Sequence, residues 1–344
     1  MSKKQRYSGI LMHISSLRGA DSVGTLGLES YHFVDFLRDH GVKVWQLLPL
    51  GRTDNSHSPY QCYSTFAGNE YYIDLGYLHA KGWLSEAPDH SEAPEGNVEW
   101  TKVKKEKSSF LWDAFYSFRY QNQFDSADYL RFWEENRSWL EDYSLFMALL
   151  DRYDGASWNL WPEDLRNRLP EALAQAYYES EETVLFHRFV QFVFFSEWDL
   201  LHHYAAQQGV QLMGDLPLYV AYNSVDVWVH PEQFQLDEEL NMSLVGGVPP
   251  DDFNDQGQHW GNPLFDWEQM EEDQYKWWKD RLHFQFRLYD RLRIDHFRGL
   301  ESYYAIEASR KDGKVGEWLP AKGKEMLSLL SKDLYPRIVA EDLG

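Results

Sequence analysis

Two short apolar runs, residues 9–14 (GILMHI) and 42–48, flank a stretch in which Tyr31, Phe33, Val34, Phe36 and Leu37 recur at helical spacing. Glu29 and Ser30 open that stretch, Gly41 closes it, and Pro49 ends the second run. Strand, helix and strand in that order predict a βαβ unit, whose place is a parallel sheet. The same logic resumes downstream. A long apolar helix around 186–204 precedes a strand at 210–213 that ends in Gly214 and Asp215. A helix near 277–289 precedes a strand at 292–294 that ends in Asp295, and a last strand at 337–340 ends in Glu341. The pattern thus predicts five parallel strands, beginning near 9, 42, 210, 291 and 337.

The intervening segments read differently. Residues 51–70 are too long for a plain connection and so read as functional. Residues 85–107 read as a linker, with SEAP twice and a lysine-rich run at 102–107. An aromatic helical segment over 110–147 reads as an insertion beside the main domain, and 222–265 as a long polar-aromatic loop. The organisation expected is a first part of the main domain over 1–80, a linker and helical insertion over 81–185, and its continuation over 186–344, including a loop at 246–265.

Three of the five strands finish on a carboxylate: Asp215, Asp295 and Glu341. In a barrel of parallel strands the C-terminal strand ends form the active-site rim, so these acids would converge in one pocket. The plainer reading is that each caps the helix that follows. Length and composition fit a large α/β barrel with insertions, or two domains, of 344 residues with 43% hydrophobic positions. The net charge of −22 argues against nucleic acid or an anionic membrane as partner. Cys62 is the only cysteine, which excludes an internal disulfide and any cysteine-built metal site. The most apolar stretch, 184–201, carries His187, Arg188, Glu197 and Asp199, and the first residues have no apolar signal core. A cytoplasmic protein is expected. Aromatic residues make up 17% of the chain, which fits sugar stacking or, more plainly, a large aromatic core.

No phosphate-binding G-x-x-x-x-G-K-[ST], G-x-S-x-G or H-E-x-x-H pattern occurs. Asp252, Asn254, Gln256 and Gly257 are spaced like part of a calcium loop, but the twelfth position is Pro263 rather than glutamate. What remains is acid chemistry. Retaining cleavage of a glycosidic bond needs a carboxylate nucleophile and a carboxylic acid about 5–5.5 Å apart, which neighbouring strand ends can supply. Arg293 lies two residues before Asp295, on the same side of the strand, and favours the ionised form that a nucleophile requires. Glu341 follows three apolar residues, a setting that suits a proton donor.

The segments RIDHFRG, AEDLG, GDLPLYV, SPYQCYSTFAGN and GVPPDDFNDQGQHWGNP together resemble the 4-α-glucanotransferases (amylomaltases or disproportionating enzymes) of the α-amylase clan. The resemblance runs from about Gly9 to Gly344, with the motifs in the family's order. It implies a (β/α)8 TIM barrel with inserted helical subdomains and no metal or organic cofactor. By position, Asp295 matches the family's nucleophile and Glu341 its general acid/base. Arg293 matches the arginine that hydrogen-bonds the nucleophile, and Asp215 an aspartate that supports the site. Ser58 and Tyr60 match the loop lining the donor sugar, and Phe253, Gln258, Trp260 and Asn262 a mobile loop that closes over the glucan. His296, next to the nucleophile in RIDHFRG, joins the substrate contacts, among which Asp215 and Arg293 are also counted.

The chain departs from the family pattern at Arg18, His57 and Asp252, where a proline, an acidic residue and a tyrosine are usual. The last difference bears on product length. The family's third carboxylate, in a His-Asp-Asn motif, and three further barrel strands would lie past Gly344. The expectation is therefore that these residues are the N-terminal part of a longer chain carrying about the first five barrel strands. The activity implied is transfer of α-1,4-glucan segments from a maltooligosaccharide, or a starch- or glycogen-derived donor, to an acceptor sugar. Two alternatives stay open: an α-glucan hydrolase using the same carboxylates, and a catalytically incomplete glucan-binding relic.

Overall fold

The computed structural model describes residues 7–19, 22–86, 96–252 and 254–341. Its first strand, β1 (Gly9–Leu11), pairs in parallel with β2 (Val44–Gln46), Ile10 opposite Trp45, and β2 pairs in parallel with β3 (Gln211–Leu216), Trp45 opposite Leu212. The helix Leu28–Asp39 connects β1 to β2 and buries Ser30, Val34 and Leu37, spaced four and three residues apart as one helical face requires. Gly41, at φ 70°, ends that connection in the left-handed region where a side chain is disfavoured.

The chain divides into two compact units. The first draws on residues up to Arg52, on Ala67–Leu149 and on Ala176–Met213, and so holds β1, β2 and the first half of β3. Its long helix Glu181–Gln207 is apolar nearly all round, burying Phe186, Phe189, Val190, Phe192, Val193 and Phe194, the composition of a central helix. Part of the aromatic surplus packs here. Trp83, Phe118, Phe189 and Phe192 meet in tilted and edge-on pairs with centroids 4.9 to 6.4 Å apart, and Trp112 stacks on Phe186 at 4.0 Å. The expected linker is partly helix: Trp100–Tyr120 takes in the lysine-rich run, and Lys107, 3% exposed, donates to the carbonyls of Tyr71 and Ile73 at 2.8 and 2.7 Å. A lysine inside a polar run is therefore an internal clasp. Within that linker, 87–95 lie outside the described residues.

The second unit comprises Thr53–Phe66, Leu150–Gln175 and the chain from Gly214 onward. Here the second half of β3 neighbours β6 (Arg291–Ile294), and β6 pairs in parallel with β9 (Ile338–Ala340), Arg293 opposite Val339. The five strands anticipated from the apolar runs are these parallel strands. The segment 222–265, expected to be a loop, instead supplies β4 (Leu244–Val248) and β5 (Gln258–Pro263). With β7 (Ser302–Glu307) and β8 (Glu317–Pro320) they form an antiparallel sheet in the order β5-β4-β7-β8. Among the described residues no helix is long and apolar enough to cross a membrane.

Candidate active site

Every sequence-predicted site residue that the structure describes falls in the second unit. Asp215, the fifth residue of β3, has a side chain with no exposed surface. Its Oδ2 accepts the Tyr60 hydroxyl at 2.8 Å, and its Oδ1 meets Arg293 Nη1 at 2.6 Å. Arg293 Nη2 reaches Asp295 Oδ1 at 2.7 Å. The spacing of two along β6 puts Arg293 and Asp295 on one side of the strand, so one planar guanidinium spans both carboxylates. Burial works against the Arg293 charge, but Asp215 and Asp295 overcome it and hold the guanidinium above its ordinary pKa. Burial raises the Asp215 carboxyl above its ordinary value, against the opposing pull of the Tyr60 hydroxyl and Arg293. Asp295 differs from Asp215 in its access, with 32% of its side chain exposed.

Beyond β6 the backbone turns sharply. His296 stands at φ 47°, ψ 50°, a left-handed conformation that a side chain adopts only where its surroundings enforce it. The turn aims the His296 N–H at Glu341 Oε2, 2.9 Å away, while the Glu341 N–H extends the β6–β9 pairing by donating to Ile294 O at 3.2 Å. Glu341 is thereby held from both ends across the residue that carries the Asp295 carboxylate. The His296 ring meets Trp260 edge-on at 4.9 Å, and its buried Nε2 has no hydrogen-bond partner among the described residues. Burial is also the main cause that lowers the imidazole pKa.

Arg293, Asp295, His296 and Glu341 line a cleft of about 940 Å³. Ser58, Tyr60, Gln258, Trp260 and Asn262 line it too. Asn262 is fixed in place, donating to Val220 O at 2.8 Å and accepting from Gln61 Nε2 at 3.3 Å. The Trp260 indole N–H donates to Gln258 Oε1 at 2.9 Å. Ser58 Oγ accepts the Tyr60 N–H at 3.3 Å and shapes the turn that presents the tyrosine. Asp215, grouped from sequence with the substrate contacts, stands behind the cleft wall, where its lack of exposed surface leaves no room for a sugar contact. Phe253 lies outside the described residues. Among the described residues no group of three or more His, Cys, Asp or Glu side chains could hold a metal ion.

Sequence reasoning missed Gln61, Tyr219, Arg298 and Trp318, all of which line the cleft. The first three sit inside quoted motifs (SPYQ, GDLPLYV and RIDHFRG), so position within those motifs was a usable signal. Trp318, in the short edge strand β8, carried none. The Arg298 guanidinium lies over its ring at 4.1 Å from the centroid.

A family model described as 4-alpha-glucanotransferase matches residues 12–344. The 4-alpha-glucanotransferase of Clostridium butyricum is 40% identical over 339 residues, which cover 97% of this chain and 69% of that protein. That of Thermus thermophilus is 41% identical over 343 residues, covering 98% and 68%. The solved structure of amylomaltase from Streptococcus agalactiae in complex with acarbose is 35% identical and superposes with a TM-score of 0.93, covering 99% of this chain and 69% of that one. Matches of this extent and identity place the chain in the 4-alpha-glucanotransferase family.

Proposed function

We propose that the protein transfers α-1,4-glucan segments between maltodextrins by a retaining double displacement, with Asp295 as nucleophile and Glu341 as general acid/base. The observation that carries this reading is the coupling of the two strand ends, where the His296 N–H donates to Glu341 Oε2 one residue from Asp295. The Asp295 carboxylate attacks the anomeric carbon while Glu341 delivers its proton to the leaving oxygen. A glycosyl–Asp295 ester forms and the reducing-end fragment departs. The acceptor's 4-hydroxyl then attacks the same carbon, Glu341 takes its proton, and the Asp295 carboxylate is regenerated. Two inversions give retention.

Arg293 orients Asp295 and spreads part of its charge, while Asp215 and Tyr60 hold Arg293 from behind. Trp260 offers its ring to the glucan, and the His296 Nε2, unpartnered among the described residues, and the amides of Gln258 and Asn262 suit sugar hydroxyls. The donor is a maltooligosaccharide or a starch- or glycogen-derived glucan, and the acceptor a sugar with a free 4-hydroxyl. A neutral substrate is consistent with the chain's charge of −22, since no steering is needed. The five parallel strands are read as part of a (β/α)8 barrel. Residues 1–80 and 186–344 build it, and 81–185 hold the linker and helical insertion. A cytoplasmic location fits the same reading.

Incubation of the protein with maltotriose, followed by separation of products by length, tests the proposal. Glucose together with a ladder of longer maltodextrins is expected. Glucose and maltose without longer products would replace transfer by hydrolysis, and binding without turnover would overturn the catalytic reading.

A further inference from the structure

Arg281, on the helix Lys276–Leu288, is 1% exposed and does not itself line the cleft, although it binds the backbone of two residues that do. A buried guanidinium is costly unless its donors are used, and here three of them are. Nε donates to Thr65 Oγ1 at 2.6 Å, Nη1 to Leu218 O at 2.9 Å and Nη2 to Pro217 O at 2.7 Å. The rings of Trp277 and Trp278 flank the cation, with centroids 5.1 and 4.8 Å away. Thr65 is held at its other polar atoms as well. Its N–H donates to Asp226 Oδ2 at 2.9 Å, and its carbonyl accepts from Gln285 Nε2 at 2.9 Å.

The two segments that Arg281 joins are those that meet in the active site. Thr65 stands five residues after Tyr60 in the same loop, and Pro217 stands two residues after Asp215 at the end of β3. In front, these segments touch through the Tyr60 hydroxyl on Asp215 Oδ2. Resting on the transfer reaction proposed above, we infer that Arg281 is a positioning residue: it ties the Tyr60 loop to the end of β3 from behind. It thereby sets the Tyr60–Asp215–Arg293 chain that orients the Asp295 nucleophile. A residue that served stability alone would have no need to link these two segments, and an apolar side chain of similar volume often serves stability as well or better.

Thr65→Val is the decisive variant, because it keeps the side-chain shape and removes only the acceptor of Arg281 Nε. Initial rates of maltotriose disproportionation give kcat and KM, and thermal unfolding monitors the fold. Loss of one charge-assisted hydrogen bond is expected to lower kcat about tenfold with KM within about twofold. Thr65→Ser keeps the acceptor and is expected to restore the wild-type kcat. In a Tyr60→Phe background, where the front contact is already gone, Thr65→Val should change kcat less than about twofold. An equal loss in both backgrounds, or lower stability with kcat unchanged, overturns the positioning role while leaving the transfer reaction intact. A wild-type protein that makes no ladder from maltotriose overturns the transfer reading and the inference with it.

Discussion

Replacing Arg293 with methionine removes the cation that bridges Asp215 and Asp295. The Asp215 side chain has no exposed surface, so water cannot substitute for the lost guanidinium. Arg293 is one of the influences that hold the Asp215 carboxyl down against burial, so its removal drives that carboxyl further up. A carboxyl whose folded pKa is raised contributes stability fully only below its unfolded pKa and loses it as pH rises through the folded value. Breaking a buried ion pair typically costs about 3–5 kcal/mol. The cost has a ceiling set by the alternative of folding with Asp215 protonated. At about 1.4 kcal/mol per pH unit above an ordinary value near 3.9, that alternative costs roughly 1.5 kcal/mol at pH 5 and roughly 5.5 at pH 8. Arg293→Met is therefore expected to lose about 3–5 kcal/mol at pH 8 but only roughly half that or less at pH 5. Urea unfolding at the two pH values reads the difference directly. Under the proposed function, turnover of maltotriose falls at least about thirtyfold at neutral pH, the equivalent of one oriented charge-assisted bond to Asp295. Equal stability losses at pH 5 and pH 8, or a kcat within about threefold of wild type, would refute the reasoning.

Tyr60→Phe withdraws a donor from the buried Asp215. Because that hydrogen bond lowers the Asp215 pKa, its loss moves the acidic limb of the pH–rate profile upward, and kcat falls by roughly tenfold or more; an unmoved limb contradicts the link. His13, buried with its Nε2 2.9 Å from the Tyr72 hydroxyl, is held down to about pKa 4 by burial. Its contribution to stability is present above the ordinary value of 6.5 and lost as pH falls towards 4, roughly 3 kcal/mol in all. Asp226, pushed up to about 6 by burial, acts in the opposite sense, so His13→Gln should tilt the urea-stability profile towards acid, and an unchanged profile rejects the argument. Gly214→Ala would place a Cβ 2.3 Å from the ring of Tyr289, which is 2% exposed. It should destabilise the protein by roughly 1–3 kcal/mol in urea, and Tyr289→Leu should recover part of that loss in the double variant.

The parallel strands were legible because short stretches such as the largely apolar VWQLL and the alternating RLRI end at a proline or an acid. The antiparallel sheet was not. β4 reads LVGGV and β5 reads QHWGNP, with Gly261 at φ 73°, so neither carries the alternation that marks a half-buried strand. β4 is held by pairing with β7, in register from Leu244 opposite Glu307 to Gly247 opposite Tyr304, and a partner about sixty residues away leaves no local trace; β5 is held in turn by β4. The lysine-rich run at 102–107 misled for the complementary reason: composition marks it as solvated, yet one of its members points inward and finds two carbonyls.

The same distinction separates what was readable in the site from what was not. Arg293 and Asp295 could be placed together because alternation along a strand is local geometry. Their link to Asp215 and Tyr60 joins residues 78 and 155 positions apart, and only the fold supplies that closeness. The fold also decides where Asp215 can act. An acid at a strand end looks like a reactant or a sugar contact, but a carboxylate with no exposed surface can act only through the groups it binds. Asp295, a third exposed and forked to the same arginine, has the access that Asp215 lacks. The division of labour between two chemically identical side chains is thus set by depth below the cleft surface, with Arg293 as the element that makes the buried one useful to the exposed one. His296 completes the argument from the backbone side. Its left-handed turn brings the Glu341 carboxylate to the strand end that carries Asp295, a closeness that no local pattern in DHFRG announces.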